Sequence, residues 1–277
     1  MIRRSPWLWS LPAVVALGFA AQARINYRDQ DFTLRDFDNF SATLESDGIT
    51  FKGTGNPLGI ESKASGLVIT AKSADGKAVR SPDKSYFLQD VVLNGDVHLQ
   101  MSQLGNGTAT VTLVDSDALH YTGSASQGRI DSATPLTINS SSTGTGIVPT
   151  FSRTIIAHGS RGFATFAIGN APGNPMRTGE MAGPVTFSLH LSNTRAGGVA
   201  EVTDLEGKAD QLTFDFATDP KTVTLTGNVT VTGKGPTASG DIAAENVVVT
   251  LDAQLQPIKV DVTGSPAKTR LRQEPPR

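Results

Sequence analysis

The residue types that most often carry out chemistry are few and scattered in this chain. Its four histidines, His98, His120, His158 and His190, lie far apart and show no metal-ligand spacing. His98 and His190 fall on the polar sides of alternating segments, which favours surface positions. The sequence has no cysteine, which excludes disulfides, cysteine metal sites and a cysteine nucleophile within it.

Other motifs that support catalysis or cofactor binding are incomplete. Residues 36–38 and 115–117 resemble fragments of a calcium loop but lack its glycine and its distal glutamate. Residues 53–59, GTGNPLG, miss the dinucleotide-binding spacing, and there is no G-x-S-x-G elbow. Carboxylates are numerous enough to leave a glycosidase pair open, but an aromatic content of 6% is low for a sugar cleft. We expect no enzyme activity, no catalytic residue, no metal and no cofactor.

The charge balance argues against nucleic acid as a partner. The net charge is −2 and the pI is about 6.1, without a concentrated basic stripe. Basic residues do collect in residues 265–277, which also carry a proline pair. We predict that this tail is disordered; contact with lipid phosphates is the alternative.

The N-terminus predicts export. Arg3 and Arg4 precede the apolar run LPAVVALGFAA at residues 11–21, and Ala21-Gln22-Ala23 fits a cleavage site. An uncleaved membrane anchor is the alternative, although residues 7–23 are short for a span, which usually needs about 20 residues. Either form places the remaining chain outside the cytoplasm, and we expect it in the periplasm, with membrane contact only through this segment.

The elements that remain are alternating segments typical of β-strands. In residues 221–233, KTVTLTGNVTVTG, Val223, Leu225, Val229 and Val231 share one face and threonines fill most of the other. Residues 91–101 alternate in the same way, and an Asp47-Gly48 pair predicts a hairpin turn. We predict loops at residues 52–59, 140–146 and 169–183 and a turn at Asp75-Gly76. The fold class is all-β.

Two short sequence patterns, which we call frames, recur in the same order along the chain. Residues 91–99 and 223–231 share V-x-L-x-G-D/N-V-x-L/V, with a glycine at Gly95 and Gly227. Upstream, residues 61–69 and 206–214 share E-x-K-A-x-x-L. Because one strand pair cannot bury its apolar face alone, repeated units are expected to cover each other. A glycine that interrupts the apolar face also predicts a bulge that bends the strand.

The later motifs resemble a known family. Residues 225–229, LTGNV, are followed by ASGD at residues 238–241 and AENV at 244–247, and this order resembles the OstA-like domain of the LptA and LptC group of lipopolysaccharide-transport proteins. Residues 257–264, PIKVDVTG, are similar to the family's return strand. Residues 118–138 are similar to later strands of the LptC branch.

The resemblance implies an elongated, twisted antiparallel β-jellyroll or open sandwich, as one continuous body or two repeated units. It divides the chain into a first LptC-like unit at 24–139, a loop-rich connection with short strands at 140–184, an OstA-like unit at 185–264 and the tail at 265–277. It implies a non-enzymatic protein that holds lipopolysaccharide or a related acylated lipid and binds other jellyroll proteins through edge strands. A structural or adhesive sandwich with a closed core is the alternative.

The lipid-binding groove is expected to use inward-facing residues of both units. In the second unit these are Leu212, Phe214, Val223, Leu225, Val229, Val231, Val247, Val249 and Leu251, and in the first unit Val91, Leu93, Val97 and Leu99. An alkyl chain gains about 0.8 kcal/mol for each buried CH₂ group, so such a groove needs no elaborate polar site.

Overall fold

The computed structural model describes most of the chain in atomic detail. The described residues are 25–28, 32–63, 66–81, 86–105, 107–144, 150–168, 175–194, 200–236, 238–252, 255, 257–264 and 267–273. The predicted signal or anchor at residues 1–23 lies outside them.

The described residues form β-strands joined by turns, which confirms the all-β fold class. The strands are β1 (Ile25–Arg28), β2 (Phe32–Phe37), β3 (Asn39–Leu44), β4 (Gly48–Ser62), β5 (Leu67–Arg80), β6 (Tyr86–Gly105), β7 (Thr108–Gly123), β8 (Gln127–Ser132), β9 (Leu136–Gly144), β10 (Thr150–Gly159), β11 (Arg161–Ala167), β12 (Met176–Thr194), β13 (Ala200–Asp215), β14 (Lys221–Lys234), β15 (Ala238–Leu251), β16 (Pro257–Thr263) and β17 (Lys268–Gln273).

The strands follow one another as an antiparallel meander. We call each position in this meander, whether it holds one long strand or two short ones, a rung. The long strands β4, β5, β6 and β7 pair in sequence, and so do β12, β13, β14 and β15. Elsewhere two short strands make up one rung, as β8 with β9 and β10 with β11 do between β7 and β12. At the ends, β2 with β3 lies on β4, and β16 with β17 lies on β15.

Every long rung changes register near its middle, and there the sheet bends. β6 is bulged at Gly95-Asp96 and β14 at Gly227-Asn228, and these pairs have φ values of 75° and 46° and of 75° and 48°. Glycine and Asn or Asp are the residues that adopt this left-handed conformation most readily. The bulge expected at Gly227 and Gly95 is therefore confirmed, and the two short frames containing them are structurally equivalent.

The bend folds the meander into two layers that face each other. We call the segments on one side the first layer: β3, β8, β11, β16 and residues 48–54, 73–80, 86–94, 118–123, 176–182, 211–215, 221–226 and 246–251. The second layer contains β2, β9, β10, β17 and residues 58–62, 67–70, 97–105, 108–116, 185–194, 200–209, 229–234 and 238–244. One hydrophobic core draws on the inner faces of both layers, as an open sandwich requires.

Several sequence-based boundaries were wrong because polar and glycine-rich segments joined the sheet. Residues 52–59 continue β4 across its bend, Asp75-Gly76 lies within β5, and residues 140–144 belong to β9. The predicted connection at 140–184 therefore contributes rungs to the sheet. The hairpin turn at Asp47-Gly48 is confirmed, since the Glu45 amide bonds to the Gly48 carbonyl at 2.9 Å.

Two further expectations were wrong. Residues 268–273 of the supposed disordered tail form β17, because the edge of β15 offers backbone partners and places Asp241 opposite Arg270. The upstream frame is not equivalent in the two halves. Leu67 lies before the bend of β5, whereas Leu212 lies after the bend of β13. The structural counterpart of Ala209-Asp210 is therefore Ala71-Lys72.

Candidate functional site: an apolar cleft between the layers

The two layers do not close completely in the second half of the meander. A cleft of about 90 Å³ lies between them. The first layer lines it with Met176, Leu212, Phe214, Val223 and Val249, and the second layer with Ile138, Ile155, Leu189 and Leu205. The walls are almost entirely carbon, so the cleft suits a narrow apolar ligand such as an alkyl chain.

The cleft continues toward the C-terminal end of the meander. A second groove of about 210 Å³ shares Leu205 and Val249 with it and adds Val231, Val247 and Val260. Val260 of β16 pairs with the inward-facing Val249 of β15 and is nevertheless 46% exposed, and Ile258, at the register shift of this pair, is 64% exposed. The apolar interior is thus open at its last rung.

The predicted groove residues all point inward, but they differ in what they touch. Five of them line the cleft: Leu212, Phe214, Val223, Val249 and Leu251. Val231 and Val247 line the adjoining groove, while Leu225 and Val229 are fully buried beside it. In the first half, Val91, Leu93, Val97 and Leu99 are fully buried in packed core and are not among the lining residues of either groove.

The sequence did not reveal the contribution of β9, β10 and the second half of β12. Ile138, Ile155 and Leu189 line the cleft but are absent from the predicted groove. The signal that identifies Leu189 was present, since residues 185–191 alternate. Ile155 gives no such signal, because it is followed by the outward-facing Ile156.

One row of inward side chains beside the cleft is polar. Gln103 of β6, Thr110 of β7, Ser142 of β9 and Arg153 of β10 stand opposite one another on consecutive strands. We call these four residues the inner polar row. Thr110 and Ser142 are joined through their hydroxyls at 3.1 Å, and Arg153 Nη2 donates to Ser142 Oγ at 2.9 Å.

A second hydroxyl pair connects the inner polar row to the cleft. Thr112 and Ser140 are joined at 3.1 Å, both are buried, and Ser140 lines the cleft. Ile155, which also lines it, lies two positions after Arg153 on the same face of β10. The inner polar row therefore lies at one end of the cleft, near the last residues of β6 and β9 and the first residues of β10. We call this edge of the sandwich the rim.

Thr110 belongs to the inner polar row because β7 turns its threonines inward and its apolar side chains outward. The sequence TATVTLV offers Val111 and Leu113 as the apolar side, yet both are 38% exposed, while Thr110 and Thr112 are buried. The register with β6 explains this, since Val114 pairs with Leu99 and must share its inward face. Buried hydroxyls cost free energy unless they are hydrogen-bonded, and these are.

Arg153 is the charged member of the row and is only 5% exposed. Burial lowers its pKa to about 10, and the nearby Asp252 carboxylate opposes that shift. The guanidinium therefore remains protonated at neutral pH. Gln103 links the row to the first layer, because its Nε2 donates to the Ala167 carbonyl at 2.7 Å.

The histidines lie on the outer faces and take part in cross-strand pairs. His98 bonds to Asp115, His190 to Asp204 and His120 to Asp90, all between exposed side chains. His158 shares a hydrogen bond with Thr137. Within the described part of the chain, no three His, Asp or Glu side chains are grouped closely enough to hold a metal ion.

Comparisons do not identify the chain. No protein-family model, curated protein or solved structure matches it. In the described residues, no helical segment has the length and apolar character that a membrane span needs.

Proposed function

We propose that this protein is a non-enzymatic lipid carrier of the cell envelope. It holds acyl chains of lipopolysaccharide, or of a related acylated lipid, in the cleft between its layers and passes them across the periplasm toward the outer membrane. The observation that supports this proposal most directly is the apolar cleft, lined from both layers, that continues to an open last rung. The resemblance of residues 208–264 to OstA-like domains and the predicted signal or membrane anchor at residues 1–23 support it as well.

The physical argument is the free energy of burying hydrocarbon. Each CH₂ group moved from water into the cleft is worth about 0.8 kcal/mol, and a chain of several groups offsets much of the cost of leaving a membrane. The cleft is narrow, so it takes one chain segment at a time in this conformation. A lipid with several acyl chains requires the two layers to move apart at the open last rung.

Handover to a partner uses the ends of the meander. Among the described strands, β16 and β17 pair only with β15, and β3 pairs only with β4. An unpaired edge accepts a strand from another protein by β-augmentation. The partners in this proposal are other jellyroll proteins, which extend both the sheet and its apolar interior.

A structural sandwich without a lipid ligand is the competing function, and the first half favours it. There the inward residues, such as Leu93 and Leu99, are packed and fully buried. The two functions differ in what they predict for the second half, where a purely structural core gains nothing from leaving a cleft open.

Filling the cleft distinguishes them. Val223→Trp places an indole in the cleft, whereas Thr224→Trp, one residue further on the same strand, places it on the outer face. We expect Val223→Trp to reduce binding of purified lipopolysaccharide at least tenfold and Thr224→Trp to leave it unchanged, measured by native mass spectrometry of the full chain. Absence of lipopolysaccharide binding by the unsubstituted protein would refute the carrier function.

A further inference from the structure

The inner polar row needs an explanation that packing does not provide. The strand sequence of β7 offers Val111 and Leu113 for the interior, and apolar side chains there would avoid the cost of burying hydroxyls and a guanidinium. Instead, polar side chains occupy matching inward positions on four consecutive strands, directly beside an apolar cleft. Such a border between an apolar and a polar interior matches an amphiphile, which has one part of each kind.

The inner polar row places hydroxyl groups beside a buried positive charge. Each hydroxyl pair, Thr110 with Ser142 and Thr112 with Ser140, uses one hydroxyl hydrogen between its two members. The second hydroxyl hydrogen of each pair can donate elsewhere, and the guanidinium is a planar fork of N–H donors whose charge already interacts with Asp252. Donors that converge around a positive charge recognise an anionic oxygen group such as a phosphate or carboxylate.

We propose that the inner polar row binds the head group of the lipid held in the cleft, that this head group carries an anionic oxygen group, and that Arg153 is the residue that selects it. This inference rests on the proposed carrier function and adds the chemical class of the ligand. The alkyl chain lies along Ile155 and Leu189, and the anion lies at the rim against Arg153 and Ser142. No covalent step is involved.

Asp252 has a defined part in this arrangement. It follows Leu251 at the end of β15, and its charge acts on Arg153 across the rim. In the protein without lipid, this carboxylate offsets the buried positive charge. An anionic head group takes over that role and competes with Asp252 for the guanidinium. Neutralising Asp252 therefore favours the anionic ligand, which is the opposite of what a merely structural ion pair predicts.

The test compares ligands that share a chain and differ in the head group. Decyl phosphate and decanol are titrated into the full chain in competition with a fluorescent fatty acyl probe, and inorganic phosphate is titrated separately. Because charge-assisted hydrogen bonds are worth about 1.5–3 kcal/mol, we expect decyl phosphate to bind about 10- to 100-fold more tightly than decanol.

Three variants decide the matter. Arg153→Met is expected to remove the preference for decyl phosphate while leaving decanol affinity within about threefold, because the apolar cleft is intact. Asp252→Asn is expected to tighten decyl phosphate binding and leave decanol unchanged, and it keeps the test valid if Arg153→Met fails to fold. Arg161→Gln removes an exposed positive charge from β11 and is expected to change neither ligand.

The results separate this inference from the carrier function. Binding of both ligands without preference, a preference that survives Arg153→Met, or weaker decyl phosphate binding in folded Asp252→Asn overturns the head-group site alone. Inorganic phosphate that binds as tightly as decyl phosphate also overturns it, since the site would then recognise a free anion. Binding of neither amphiphile overturns the carrier function as well.

Discussion

Asn228 and Asp210 are hydrogen-bonded across the bend of the second half, with Asn228 Nδ2 donating to Asp210 Oδ2 at 2.8 Å. In the first half, an ion pair between Lys72 and Asp96 occupies the corresponding place. In both halves the partner lies on the preceding rung, opposite a Gly-Asn or Gly-Asp bulge. The same backbone geometry is thus held by two different polar pairs, which indicates that the bulge, rather than the pair, is the shared feature.

The backbone at Gly227 predicts a large penalty for any side chain. A Cβ there would approach Asp210 Oδ2 to 2.4 Å, and the φ of 75° is unfavourable for other residues. We expect Gly227→Ala to lower the free energy of unfolding by about 1–3 kcal/mol. Gly233→Ala is the matched control on the same strand, since its Cβ would meet only a flexible Leu205 methyl group at close range. Equal chemical-denaturation midpoints for the two variants would show that the bulge tolerates a side chain at position 227, which would contradict this prediction.

The bulges also show what the sequence could and could not reveal. A glycine that interrupts an alternating apolar face is a local signal, and it correctly located Gly95 and Gly227. The inward direction of Thr110 was not predictable, because register with β6 overrode the pattern of β7. Residues 140–144 look like a linker by composition, yet Ser140 and Ser142 are buried through hydrogen bonds to other strands. Long-range pairing of this kind leaves no local trace.

The turn between β3 and β4 is predicted to depend on pH. Hydrogen bonds from Lys77 and Thr50 hold the pKa of Glu45 below its usual value, and hydrogen bonds to Glu45 and Asp47 raise the pKa of Lys77. A lowered carboxyl pKa contributes stability above the unfolded-state pKa and loses it as the pH falls through the folded-state pKa. A raised ammonium pKa contributes stability that is lost as the pH rises through its folded-state value.

The pair therefore supports the turn between about pH 5 and about pH 10. We expect the hydrogen-exchange protection of the Glu45 amide to fall as the pH is lowered from about 5 to about 3, after correction for intrinsic exchange. Glu45→Gln removes the titrating carboxyl and is the control. An identical pH dependence in Glu45→Gln would contradict the assignment, because the Glu45 side chain would then have no part in it.

The open last rung predicts a contact with another protein. Val260, which pairs with the inward-facing Val249, and the nearby Ile258 are exposed apolar side chains on an edge strand, a combination that native proteins usually cover. We expect a photoreactive residue at position 258 to yield protein adducts in the envelope, and Val260→Lys to reduce their yield because it places a charge in the interface. Lys259→Ala alters the opposite face of β16 and serves as the control. Adduct yields that are insensitive to Val260→Lys would exclude docking at this edge.

The carrier function is tested most directly by photocrosslinking inside the envelope at positions on the two faces of the cleft wall. Val223 and Val249 line the cleft, whereas Thr224 and Val248 are their neighbours on the outer face. We predict that a photoreactive residue at position 223 or 249 captures lipopolysaccharide and that one at 224 or 248 does not. Capture at the outer positions, or capture at none of the four, would contradict lipid transport through the cleft.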